Sequence, residues 1–115
     1  MFVLDPLNVT LLARLPHKWL MSSTDERCLL LHGKTRDDGS STVTGWERTV
    51  NLHPDPAKHF RVMFDTDDDR IIGVLHTHVD RRCPHPSDDD RRSLPWWMIG
   101  AVYCHGSVEW FTSSQ

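Results

Sequence analysis

The run Ile71-Ile72-Gly73-Val74-Leu75 constrains this chain more than any other stretch, because it is apolar on both parities and passes directly into His76-Thr77-His78. An alternating strand keeps one wet face, whereas a strand apolar throughout must be covered on both sides. The segment therefore predicts a central strand in an α/β or α+β layer, with two histidines where that strand gives way to a loop. At 115 residues and 38% hydrophobic content, the chain suffices for one domain with one core, residues 1–115, and is too short for two.

The other elements follow from periodicity and breakers. Leu7, Leu11, Leu12, Leu15 and Trp19 are spaced as one face of a helix, which Pro16 should end or kink, leaving an irregular continuation to Met21. Cys28 to Leu31 reads as a short buried strand ended by His32-Gly33, and Asp38-Gly39 marks a turn. Thr42 to Asn51 is β-rich, His53-Pro54-Asp55-Pro56 interrupts it, and Phe60, Val62 and Phe64 share one parity of a further strand. Ser87 should start a short helix that Pro95 stops, followed by paired strands over Met98 to Cys104 and Ser107 to Phe111 about a His105-Gly106 turn.

Residues two apart on a strand point the same way, so His76 and His78 can present both imidazoles to one ion. A tetrahedral catalytic site of the zinc type needs a third protein ligand and an open position. Candidates lie in Ser87-Asp88-Asp89-Asp90, where Ser87 and Asp90 also form a capping box that needs no metal to explain it. A helix starting beside the strand end would turn one early aspartate toward the histidines, leaving the others in solvent. Metal-assisted hydrolysis also needs a group that moves protons, and Glu26 and Glu47 are both open to that role. Glu26 precedes a buried strand, and Glu47 has the plainer reading of a solvated ladder residue.

With these residues in place, the chain resembles the JAMM, or MPN+, metallopeptidases, whose motif is an upstream glutamate, His-Ser/Thr-His, a short spacer and Ser-x-x-Asp. Here those elements read Glu26, His76-Thr77-His78 and Ser87-Asp88-Asp89-Asp90. The segments Asp25 to Gly33 and Val50 to Phe60 are also similar to the family, and Pro86 to Trp96 looks like its compact bacterial and phage-tail members. The likeness covers nearly the whole chain. It implies a single MPN-like (cytidine-deaminase-like) domain, with a central mixed sheet flanked by an N-terminal helix and a short helix after the metal loop. It implies Zn2+ on His76, His78 and Asp90, Glu26 as general acid/base and Ser87 as oxyanion donor. The reaction implied is hydrolysis of a peptide or isopeptide bond, with a peptide or the C-terminal tail of a ubiquitin-like or sulfur-carrier protein as substrate. The spacer from His78 to Ser87 is one residue longer than the usual family form, and Val79 stands where many members have proline. Counting from His78 favours Asp89 as ligand; counting from Ser87 favours Asp90, and helix geometry makes the second count the better guide.

Other classes fit less well. Amidohydrolases and the polymerase-and-histidinol phosphatases also begin a metal site with a histidine pair, but too little chain follows His78 to complete a barrel. A non-catalytic scaffold or phage-tail-like interaction module would draw on the five tryptophans, notably Trp96 and Trp97. Thirteen basic residues scattered among sixteen acidic ones, for a net charge of −3, leave no phosphate-binding face, so nucleic acid is not an expected partner despite Arg81, Arg82, Arg91 and Arg92. No membrane-spanning or leader-like run is evident, and the expectation is a soluble cytoplasmic protein, with a homodimer left open. Cys28, Cys83 and Cys104 form no CxxC pair and fit a reducing compartment, Cys28 and Cys104 as buried small hydrophobes and Cys83 as a bystander in the loop with His85.

Overall fold

The computed structural model describes residues 9–11, 14–78 and 85–114. Six strands form one mixed sheet: β1 (Val9–Leu11), β2 (Cys28–Thr35), β3 (Ser41–Thr49), β4 (Ile71–Thr77), β5 (Ile99–Cys104) and β6 (Ser107–Thr112). Their spatial order is β1-β3-β2-β4-β5-β6, with β1·β3 and β4·β5 parallel and the other pairs antiparallel. Two short helices, α1 (His17–Leu20) and α2 (Asp88–Ser93), flank this α/β sheet.

The apolar run Ile71 to Leu75 is indeed interior, and every residue of β4 is buried. A register shift between β2 and β4 at Leu31/His32 changes which side chains share a face. Ile72 and Leu75 enter one core with Leu29, Leu31, Ile99 and Tyr103, while Ile71 and Val74 enter the other with Leu30, Leu94, Val102 and Phe111. Covering both faces is what a strand without a polar parity requires.

Leu7 and Leu12 lie outside the described residues, and what is described of the pattern before Pro16 is not a continuous helix. Val9–Leu11 is a strand beside β3, and the helix comes afterwards, with Pro16 at its N-cap. A proline lacks only an amide that the first helical turn leaves unused, so it begins a helix as readily as it ends one. Nor does β2 stop at His32-Gly33. A bulge between those residues carries the strand on to Thr35, and a Cβ at Gly33 would lie 1.9 Å from the Thr42 carbonyl oxygen, so the glycine admits a close strand instead of ending one.

Phe60, Val62 and Phe64 keep their common half-buried face against the second core, yet residues 60–64 carry no strand assignment. Parity chooses a face, but a strand also needs a partner for its backbone. The β5–β6 hairpin forms as expected, with His105 and Gly106 at φ of 48° and 88°, the left-handed pair that a tight two-residue turn demands. Cys28 is a buried free thiol, whereas Cys104 is disulfide-bonded, contrary to the expectation of a chain without disulfides. Cys83 lies outside the described residues.

Candidate metal centre

The site forms where three separate segments meet on one face of the sheet. His76 sits in β4 between Cys28 of β2 and Val102 of β5. Thr77 faces away: its hydroxyl accepts from the Arg27 amide at 2.8 Å, and its own amide donates to the Arg27 carbonyl at 2.9 Å. This clamp holds the residue next to Glu26 against the end of β4. His78 continues the strand direction by donating its amide to the Tyr103 carbonyl.

The third segment is α2, and its start is dictated locally. Ser87 Oγ accepts from the Asp90 amide at 3.0 Å and Asp90 Oδ2 accepts from the Ser87 amide at 2.9 Å, a complete capping box. The same Oδ2 lies 3.3 Å from His76 Nε2 and 3.2 Å from His78 Nε2, and the two imidazole nitrogens are 3.1 Å apart. Asp89, the rival, is paired instead with Arg92 on the solvent side.

Glu26 completes the group. Glu26, His76 and His78 are all buried and offer donor atoms within 4.8 Å of one another, a cluster that can hold a metal ion. Glu26 Oε1 is 4.0 Å from His78 Nε2, farther than Asp90, and Glu26 Oε2 is buried with no hydrogen-bond partner among the described residues. Glu47 lies on β3, half-exposed, 3.8 Å from His32 and, among the described residues, in no ion pair with an arginine.

The donors fit an ion of the zinc type. Four ligands about 2.0–2.1 Å from a tetrahedral metal stand about 3.3 Å from one another. The His76, His78 and Asp90 atoms occupy three such corners, with Glu26 set back from them. Two neutral imidazoles and a carboxylate are ordinary zinc donors. An orphaned carboxylate oxygen at the same place is costly unless something polar joins it.

Electrostatics separates the two acids. Burial would raise the Asp90 pKa, but hydrogen bonds from His76, His78 and the Ser87 amide outweigh it and hold the group well below the usual carboxylate range. Burial dominates at Glu26 and lifts its pKa to about 7, with His78 opposing and Asp90 adding to the rise. Burial also lowers the pKa of His76, against the pull of Asp90, and so keeps its imidazole neutral as a ligand must be.

Aromatic rings fix the His76 plane. Phe60 stacks on it at 4.2 Å and 23°, and Phe111 meets it edge-on at 6.4 Å. Phe111 can lie there because residue 100 is glycine: a Cβ would come within 2.3 Å of its ring. His76 and Asp90 also line a cleft of about 660 Å³ walled by Phe60, Val62, Phe64 and Leu94. Sequence reasoning did not find this wall, nor Asn51, whose side chain bonds the Glu26 carbonyl. The shared parity of Phe60, Val62 and Phe64 was its only local signal. His85 is exposed and paired with Glu109, away from the cluster.

The fold and site thus define an α/β domain with a buried Glu-His-His cluster able to bind a divalent metal, consistent with metalloenzyme chemistry. Comparison with models of known families, with curated proteins and with solved structures finds no match to this chain. Among the described residues, no helix is long and apolar enough to cross a membrane.

Proposed function

We propose that this chain is a zinc-dependent peptidase or isopeptidase of the JAMM type on an MPN-like domain, with His76, His78 and Asp90 as metal ligands. The observation that carries the reading is the near-equilateral triangle of His76 Nε2, His78 Nε2 and Asp90 Oδ2, beside a Glu26 oxygen without a hydrogen-bond partner among the described residues. When bound there, zinc supplies Lewis acidity and lowers the pKa of a coordinated water to about 7.

The chain's own residues do the rest. Glu26 takes a proton from the attacking water at its buried Oε2 and returns it to the departing nitrogen. The Ser87 hydroxyl accepts from the Asp90 amide and keeps its hydrogen free to donate to the developing oxyanion. The cleft sets an apolar wall of Phe60, Val62, Phe64 and Leu94 among the polar His53, His59, Arg61 and Arg92, a lining suited to an apolar side chain near the scissile bond of a peptide or an extended ubiquitin-like or sulfur-carrier tail. A non-catalytic scaffold or phage-tail-like module is the second reading, favoured by Trp96, which is 53% exposed. That role gives no reason to bury Glu26 beside two histidines.

Purified without chelators, the protein is expected to carry about one zinc per chain. Asp90→Asn should lose the ion and Asp89→Asn keep it. Glu26→Gln should retain zinc and lose hydrolysis of apolar peptides. Metal-free protein from such a preparation, or undiminished turnover in Glu26→Gln, would refute the reading.

A further inference from the structure

We propose that Asn51 is the positioning residue of this site, holding the Glu26 backbone and the wall of the cleft in one frame. The proposal rests on the reading of Glu26 as the proton-moving group. Asn51 follows β3 by two residues and makes five hydrogen bonds through one side-chain amide. Its Nδ2 donates to the carbonyls of Glu26 at 2.8 Å, His59 at 2.9 Å and, more weakly, Pro56 at 3.4 Å. Its Oδ1 accepts from the amides of His53 and Arg61, both at 3.1 Å.

Two consequences reach the metal centre. Glu26 is tied to this loop from both sides, since its amide donates to the Pro56 carbonyl at 2.7 Å while its carbonyl accepts from Asn51. The next residue is clamped to Thr77, so the Glu26 backbone is suspended between the loop and β4. Phe60, the ring stacked on His76, lies between His59 and Arg61, whose backbones Asn51 also holds. None of these bonds reaches a donor atom of the cluster, so Asn51 acts through Glu26 and Phe60.

Only asparagine supplies this pattern at this reach. Aspartate keeps the acceptor and loses both donors, glutamine is one methylene longer, and leucine offers neither. A misplacement of about 1 Å at a catalytic group can cost on the order of 10²-fold in rate, which is the scale on which four bonds to the loop and one to Glu26 matter.

The test uses Asn51→Asp, which removes the bonds to Glu26, His59 and Pro56 and leaves those from His53 and Arg61, with Asn51→Ser as a second variant. Native-state amide exchange at Glu26 should quicken at least ~10-fold in both, with the amides of Leu29 and Leu75 unchanged. Zinc content should stay at the wild-type level. Turnover per bound zinc on an apolar peptide should fall ~10-fold or more, with KM little altered. In a Glu26→Gln background, Asn51→Asp should bring a clearly smaller loss than in the wild type, because the part of its effect carried by Glu26 is already gone. An unchanged Glu26 amide, exchange rising equally at Leu29 and Leu75, or losses that multiply in the double variant would overturn the proposal. If the wild-type protein holds no zinc, the peptidase reading fails by itself, and the exchange pattern still decides whether Asn51 fixes Glu26.

Discussion

Glu26 has little room for a charge until something cationic joins it, and this makes metal-free stability depend on pH. Its folded pKa is about 7 against an ordinary 4.5. Below 4.5 both states hold the proton and nothing is gained or lost. Between 4.5 and 7 the unfolded chain releases its proton while the folded chain keeps it, so folding is penalised increasingly, and above 7 the penalty is constant. The metal-free wild type should therefore lose stability relative to Glu26→Gln across that window, by at most about 3 kcal/mol. Urea denaturation of both proteins on either side of the window measures it, and a difference that stays flat with pH would contradict the buried carboxyl. The sequence displayed His76, His78, Ser87 and Asp90 because each pair is joined by a local period, two on a strand and three in a first helical turn. It could not choose between Glu26 and Glu47, since the choice depends on Cys28 pairing with His76 across strands far apart in the chain. Asn51 was invisible for the same reason: its partners run from Glu26 to Arg61.

At the scale of elements, α2 carries the most consequence for its length. Six residues form a weak helix alone, and this one is secured at its start by the Ser87–Asp90 box and three acidic residues in the first turn. Ser87 caps this helix, and under the proposed function it would also donate to the oxyanion; two substitutions can separate these tasks. Ser87→Ala should cost about 1 kcal/mol of stability through the lost cap and weaken zinc binding by loosening Asp90. Ser87→Asn keeps a good cap and should remain near wild-type stability, yet turn over peptide about 10²-fold more slowly if the hydroxyl stabilises the oxyanion. Thermal unfolding and peptide assays read the two separately, and an active Ser87→Asn would remove Ser87 from the chemistry. This helix, β4 and the β5–β6 hairpin were legible because their caps, turns and apolar runs are local. The N-terminal segment was not, because Val9–Leu11 is decided by pairing with β3, which outweighs the helical spacing of its leucines. Residues 60–64 failed in the opposite sense, with the right face but no ladder.

For the molecule as a whole, the site joins parts that the sheet alone connects only indirectly. Glu26 precedes β2, His76 and His78 end β4, and Asp90 rides on α2 over the second core, so an ion held by the triangle ties α2 to the sheet. Among the described residues nothing else explains why two histidines and two carboxyls gather in one buried place. Metal-free, the cluster is a burden: Glu26 Oε2 is buried without a hydrogen-bond partner among the described residues. Zinc binding should convert that burden into stability, because a ligand that binds only the folded state adds about 2.7 kcal/mol when present at 100 times its dissociation constant. For a domain of this size that corresponds to a rise in Tm of roughly 10 °C. The shift should vanish in Asp90→Asn and persist in Asp89→Asn, whose carboxylate is engaged with Arg92 outside the triangle. Calorimetry with zinc and with chelator supplies the measurement. Equal shifts in the two variants would mean that zinc stabilises the chain from somewhere other than His76, His78 and Asp90.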